Sequence, residues 1–343
     1  GPPAVHTCAG RSFYVDYGAG SDANAGTSKS APWKRAPGMV GFSGTYAHQA
    51  HDCFYFAGGV TWPRAVFPLR PAGSGDTGAN DYYGPDPAWF SGTQWSRPVF
   101  DAGSAFIAGS MNSFINAQDR DRITFDNIEF TGWKTRGWTG GYGTCGGINI
   151  QGQPAYILFD HLYMHDWDAD PNDTDCVFIQ ADTYGRFAGD TTIQNSVFTS
   201  GGETTKCIGT VKNSVFHDMV GMLFPCGHGE ISGNRLYNCG YPTWPAGAAN
   251  VHGDVIQINA SDSGGTFLIH DNVIHSTGRD TNGNECESML IGNPGETDYV
   301  WNNVIYNLQG NEPALVQNSL PGTAASFWNN TITGGGTAGS TTP

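Results

Sequence analysis

One apolar pattern recurs eight times along this chain. The segments are ITFDNIEFTGW from Ile123, ILFDHLYMHDW from Ile157, TIQNSVFTSGG from Thr192, TVKNSVFHDMV from Thr210, ISGNRLYNCG from Ile231, LIHDNVIHSTG from Leu268, YVWNNVIYNLQ from Tyr299 and SFWNNTITGGG from Ser326. Each holds an apolar residue, a polar step centred on Asn, then alternating apolar residues and a turn. Alternation of this kind makes strands with one buried face. Recurrence makes each strand a layer of a stack. The Asn positions are Asn127, Asn195, Asn213, Asn234, Asn272, Asn303 and Asn330, with His161 replacing one. Their intervals run from 18 to 38 residues, which suits coils whose strands stack while their loops vary. Stacked Asn side chains form hydrogen-bonded ladders, so their role is structural.

A second strand follows in each coil: INIQ from Ile148, VFIQ from Val177, CIGT from Cys207, MLFP from Met222, VIQI from Val255, MLIG from Met289 and ALVQ from Ala314. The expected fold is all-β, a right-handed parallel β-helix solenoid. One domain spans 1–333, with an N-terminal cap over about 1–100, and 334–343 is a linker or frayed tail. Glycine is abundant, with 49 residues, and charged residues make up only 14%, as short strands and tight turns require. The net charge of −15 argues against nucleic acid. No apolar run reaches the length of a membrane span. The eight cysteines read as disulfides of a secreted protein. Coil geometry pairs Cys8 with Cys53, Cys145 with Cys176, Cys207 with Cys226 and Cys239 with Cys286. A monomer without a visible signal peptide, in mature form, is expected.

The coils, together with FYVDYGAGSDANAGTSKSAPWKRAPGM from Phe13, resemble the pectate-lyase-like β-helix superfamily. That resemblance implies a carbohydrate-active protein with a polysaccharide partner. A narrower similarity is to the alginate lyase and chondroitinase B family. GGETTKC supplies Glu203 and the base Lys206, and CGHGE supplies His228 and Gly229. Gly227 stands where that family keeps an acid Arg.

The longest loops, Trp133 to Gly146, Asp166 to Asp175, Gly240 to Gly253 and Thr277 to Glu287, leave one corner of the coil. They are expected to wall a groove. One column of polar residues is expected beside it: Gly146, Asp175, Lys206, Val220, Asp254, Glu287 and Glu312. Lys206 in that column, assisted by His228 or His252, suits proton abstraction next to a uronate carboxyl. Asp254 and Glu287, near 5 Å apart at one strand step, match the carboxylate separation of retaining glycosidases. Asp166, Asp168, Asp170, Asp173 and Asp175 offer hard oxygen ligands for Ca²⁺. Trp133, Trp138, Trp167 and Trp244 lie in the groove-side loops, where flat rings stack on sugars.

Three functions are compatible with these residues. The leading one is a polysaccharide lyase acting by β-elimination on a uronate-containing glycan. The second is a glycoside hydrolase using Asp254 and Glu287. The third is a glycan-binding β-helix of adhesin or tailspike type.

Overall fold

The computed structural model describes residues 2–108, 113–136, 147–150, 156–167, 177–180, 190–239, 253–258, 265–277, 286–291, 295–308, 316–317 and 324–333. Neighbouring strands pair in parallel throughout these residues. A first sheet of eleven strands runs from Ser12–Val15 through Cys53–Gly58 and Asp81–Phe90 to Ala324–Trp328. Consecutive strands of that sheet are separated in sequence by strands of other faces. The chain therefore winds as a solenoid, and its hand is right, as parallel crossovers require. A single short helical turn, Arg64–Val66, is the only helix among the described residues.

Core columns explain why these segments stack. On the first sheet Phe125, Phe159, Ile193, Val211, Ile231, Ile269 and Val300 pair in succession, and all are buried. On the second face Phe100, Phe130, Met164, Phe198, Phe216, Leu236, Ile274 and Ile305 do the same. Each such side chain contributes roughly 1.5–3 kcal/mol of burial. At the N-terminal end Trp33 stacks on Phe13 with ring centroids 4.9 Å apart.

The corner between these two faces holds the Asn residues, and here the structure corrects the alignment by Asn. Asn127, His161, Asn195 and Asn213 occupy the left-handed turn position, with φ near +50°. Gly233, Asp271, Asn302 and Asn329 fill that position in the later coils. Asn234, Asn272, Asn303 and Asn330 lie one residue further on and form the ladder. Asn234 Nδ2 donates to Asn272 Oδ1 at 3.0 Å, Asn272 to Asn303 at 2.9 Å and Asn303 to Asn330 at 3.0 Å. Ser196 and Ser214 extend the ladder downward. Asn serves both positions, because it tolerates positive φ and also satisfies buried backbone. Spacing by residue type therefore merged two columns.

Three of the expected disulfides are present: Cys8–Cys53, Cys207–Cys226 and Cys239–Cys286, with Cα separations of 6.0, 4.6 and 6.0 Å. Cys145 and Cys176 lie outside the described residues. Among the described residues no helix is long and apolar enough to cross a membrane.

Candidate functional site

Past the second face the chain bends again. Asp166, Ser200, Asp218, Asn238, Ser276 and Asn307 take positive φ at this bend. Two coils pass it without interruption. Strands Val197–Lys206 and Val215–Phe224 are ten residues each and run through the bend onto a third face. The third face of the two uninterrupted strands is therefore a continuous floor.

Register on this floor is explicit. Glu203 pairs with Gly221, Thr205 with Leu223 and Lys206 with Phe224. Leu223 pairs with Ile256, which sets Gly221 beside Asp254 two residues back. Asp254 pairs with Glu287. One column thus reads Glu203, Gly221, Asp254, Glu287.

The column has an outward side. Val220 and Phe224 are buried but stand outside the core cluster that holds Met219, Met222 and Leu223. A Cβ added to Gly221 would lie 2.8 Å from Phe224 Cζ and 3.2 Å from Glu203 Cγ. The Phe224 ring and the Glu203 side chain therefore share the outer face and close over Gly221. Glu203 is 9% exposed, Asp254 is fully enclosed and Glu287 is half-buried.

This arrangement revises the polar column expected from spacing. Lys206 does not stand beside Val220. It pairs with Gln180 and Phe224, and Glu203 takes its place beside Gly221. The physical reason is that Thr204 and Thr205 fill buried positions, so no apolar run marks a second strand before Cys207. His228 lies around the next corner, four residues past the pairing of Lys206 with Phe224 and beyond the Cys207–Cys226 disulfide. It lines a different cavity, with Glu230 and Leu268.

Two of the four tryptophans are also reassigned. Trp133 and Trp167 are buried in the core, packed on Phe114 and Phe178 at 4.8 and 5.0 Å. Trp167 lies over Gly201, where a Cβ would come within 2.2 Å of its ring. Both follow the bend, at the first position that points inward, so neither is available to a sugar. Trp138, Trp244 and His252 lie outside the described residues.

Of the five aspartates expected to hold Ca²⁺, only Asp166 is described. Its Oδ2 is hydrogen-bonded to His165 Nδ1 at 2.6 Å, and His165 Nε2 lies 3.2 Å from Glu129 Oε1. The Glu129 hydrogen bond, with help from Asp166, raises the His165 pKa against the opposing effect of burial. Elsewhere Asp126, Asp160 and His161 place ligand-type atoms within 4.8 Å of one another. This is a possible acidic metal site. Its oxygens already accept hydrogen bonds from Tyr82, Asn127, Gln194 and Asn195, and burial raises the Asp126 pKa.

No family model matches the chain, and no curated protein matches it. Solved structures do. The GH136 lacto-N-biosidase from Eubacterium ramulus is 12% identical over 94% of this chain and 67% of its own, with a TM-score of 0.47. Pectate lyase Pel9A is 16% identical over 96% of this chain and 80% of its own, with a TM-score of 0.46. PfbA, a surface adhesin of Streptococcus pneumoniae, is 14% identical over 82% and 79%, with a TM-score of 0.38. The chain has a right-handed parallel β-helix fold. A shared β-helix does not carry a shared reaction, because sites are grafted onto folds.

Proposed function

We propose that this protein is a secreted glycoside hydrolase that cleaves a polysaccharide with Glu203 and Asp254. The supporting observation is the column Glu203–Gly221–Asp254 on an uninterrupted floor. Two strand steps separate the two backbones by roughly 9.6 Å, at about 4.8 Å per step. Glu203 Cγ comes within 3.2 Å of the Cβ position of the intervening Gly221. Inverting glycosidases hold their carboxyl groups about 6.5–9.5 Å apart, which leaves room for a water.

The chemistry needs one carboxyl to protonate the leaving oxygen and one to take a proton from the attacking water. Glu203, 9% exposed against none for Asp254, meets the water. Asp254 protonates the departing sugar, and Glu287, one step further on, positions it. Asp254 pairs with Glu287 as the spacing expects; in this reading Glu203, across Gly221, takes the base role and Glu287 supports Asp254.

The elimination reading places Lys206 as base. Among the described residues of the floor strands, Lys206 is the only cation, and it shares the floor with Glu203, Asp254 and Glu287. A uronate chain would meet repulsion there, within a protein of net charge −15. Ca²⁺ in the Asp166–Asp175 loop is the one device that would offset this. Three disulfides support an oxidising, extracellular setting.

A panel of neutral and uronate-containing polysaccharides tests this reading. Reducing ends should appear on a neutral glycan, without ultraviolet absorbance from an unsaturated product. Absorbance rising with the reducing ends, on a uronate polymer, would establish elimination instead.

A further inference from the structure

The outer face of the first sheet carries a cavity of about 590 Å³ that the proposed cleavage site does not use. Its lining includes Thr210, His228, Glu230, Thr266 and Leu268. Thr210, Glu230 and Leu268 follow one another across paired strands, and Tyr299 is next in the same column. The parallel column reads Lys212, Ser232, His270, Trp301, Trp328. The solenoid thus brings an open cavity bordered by Glu230 and His228 and a strip of aromatic rings onto one face.

Each part has the chemistry that sugars need. Glu230 is a fixed acceptor. Lys212 Nζ donates to it at 2.7 Å, Ser232 Oγ at 2.8 Å, and His270 Nε2 lies 3.3 Å away. Burial works to raise its pKa, but the bonds from Lys212 and Ser232 outweigh burial and keep it low. The glycine corner beneath lets backbone approach closely: a Cβ on Gly229 would fall 1.8 Å from Gly209 O. Beyond the cavity, Tyr299 is 36% and Trp328 43% exposed. His270, Trp301 and Trp328 stack at 4.1 and 5.1 Å with nearly parallel planes. Such a stack holds its members rigid, and a rigid ring binds with little entropic loss. From Thr210 to Trp328 the track crosses four strand steps, roughly 19 Å at about 4.8 Å per step.

We propose that this face is a second, non-cleaving glycan-binding site. It seats one sugar in the cavity against Glu230, His228 and Thr210, and lays the following sugars over Tyr299 and Trp328. The ligand is a neutral oligosaccharide. Glu230 and the net charge of −15 disfavour a polyanion, and the track is longer than a monosaccharide. This rests on the reading of the chain as a glycan-acting protein, but not on the identity of its catalytic pair. The site lies past the Cys207–Cys226 corner from Glu203, so a chain held here is tethered while another segment is cut.

A glycan microarray of neutral xylo-, manno-, cello- and chito-oligosaccharides, with oligogalacturonates alongside, provides the test. Wild type and Glu203→Gln should bind at least one neutral series equally. Tyr299→Ala with Trp328→Ala, and separately Glu230→Ala, should bind at least tenfold more weakly. Tyr299→Phe keeps the ring face and should bind as wild type does, which separates stacking from misfolding. Binding unchanged in the track variants, binding lost only in Glu203→Gln, or binding confined to oligogalacturonates would each overturn the proposal. Loss of cleavage chemistry at Glu203 leaves it standing.

Discussion

Glu203 stands opposite Gly221 on the adjacent parallel strand, and its side chain, with the nearer Phe224 ring, borders the space that any larger residue at 221 would take. The register places Glu203 two strand steps from Asp254, with Gly221 between them. Gly221→Ala should therefore act on the reaction more than on the fold. Overpacking of this kind costs about 1–3 kcal/mol. The rate should fall at least tenfold as Glu203 is displaced, a loss that unfolding at the assay temperature does not account for. Parallel measurement of initial rates and thermal unfolding checks this.

The Asn ladder should be a strong point of the fold. Asn272 accepts from the Asn234 backbone N–H at 3.0 Å and donates to Ile231 O at 2.8 Å. Asn272→Leu leaves both groups buried without these partners, at about 1–3 kcal/mol each. Denaturant unfolding should show a loss of at least ~2 kcal/mol. Asn195→Leu removes a turn residue instead and should be felt through its positive φ.

Much of this architecture was legible in the sequence, and the failures have specific causes. Apolar alternation located the first-sheet strands, because Ile123, Ile157 and Ile193 all point into the core. Proximity of coils gave the Cys207–Cys226 and Cys239–Cys286 pairs. The neighbouring of Asp254 and Glu287 was likewise readable, since VIQI and MLIG align them. What failed was register where no loop or apolar run marks it. Strand Val197–Lys206 crosses a bend with Gly201, Gly202, Thr204 and Thr205 in place of large apolar residues. The apolar run CIGT from Cys207 marks the strand too late in the chain, which puts Lys206 in Glu203's place. Trp133 and Trp167 failed for a related reason. A tryptophan just past a turn looks like a loop residue unless the first inward position is known. The aromatic part of the track was legible too, because His270, Trp301 and Trp328 each stand two residues before the aligned Asn272, Asn303 and Asn330; the cavity beside Glu230 was not.

The Cys207–Cys226 disulfide joins the corner that divides the two proposed sites. It closes a short loop, for which chain entropy gives about 3 kcal/mol. Cys207→Ser with Cys226→Ser should lower the melting temperature by several degrees. Cleavage per folded molecule should persist, because Glu203 and Asp254 are held by strand pairing. Non-reducing mass mapping and calorimetry follow both.

Stability should show a step tied to His165. Its pKa is raised in the folded protein, chiefly by Glu129. A raised folded value means that the stabilisation is complete below the unfolded pKa of about 6.5. It is lost as pH rises through the folded value. Wild type should lose stability relative to His165→Gln as pH increases across that window. Identical pH dependence in the two proteins would show that the pair with Glu129 contributes nothing.

The carboxylate column is tested most directly by comparing three variants on the polysaccharide that wild type cleaves. Glu203→Gln and Asp254→Asn remove one proton-transfer group each with little change in volume, and Lys206→Ala removes the alternative base. Proton-transfer groups contribute ~10²–10⁴-fold to rate. Reducing-end release should fall by that amount in both carboxyl variants, with melting temperatures close to wild type. Lys206→Ala should stay within a fewfold of wild type, and the wild-type product should carry the inverted anomeric configuration. Loss of activity in Lys206→Ala, with Glu203→Gln and Asp254→Asn still active and unsaturated ends in the product, would contradict the account.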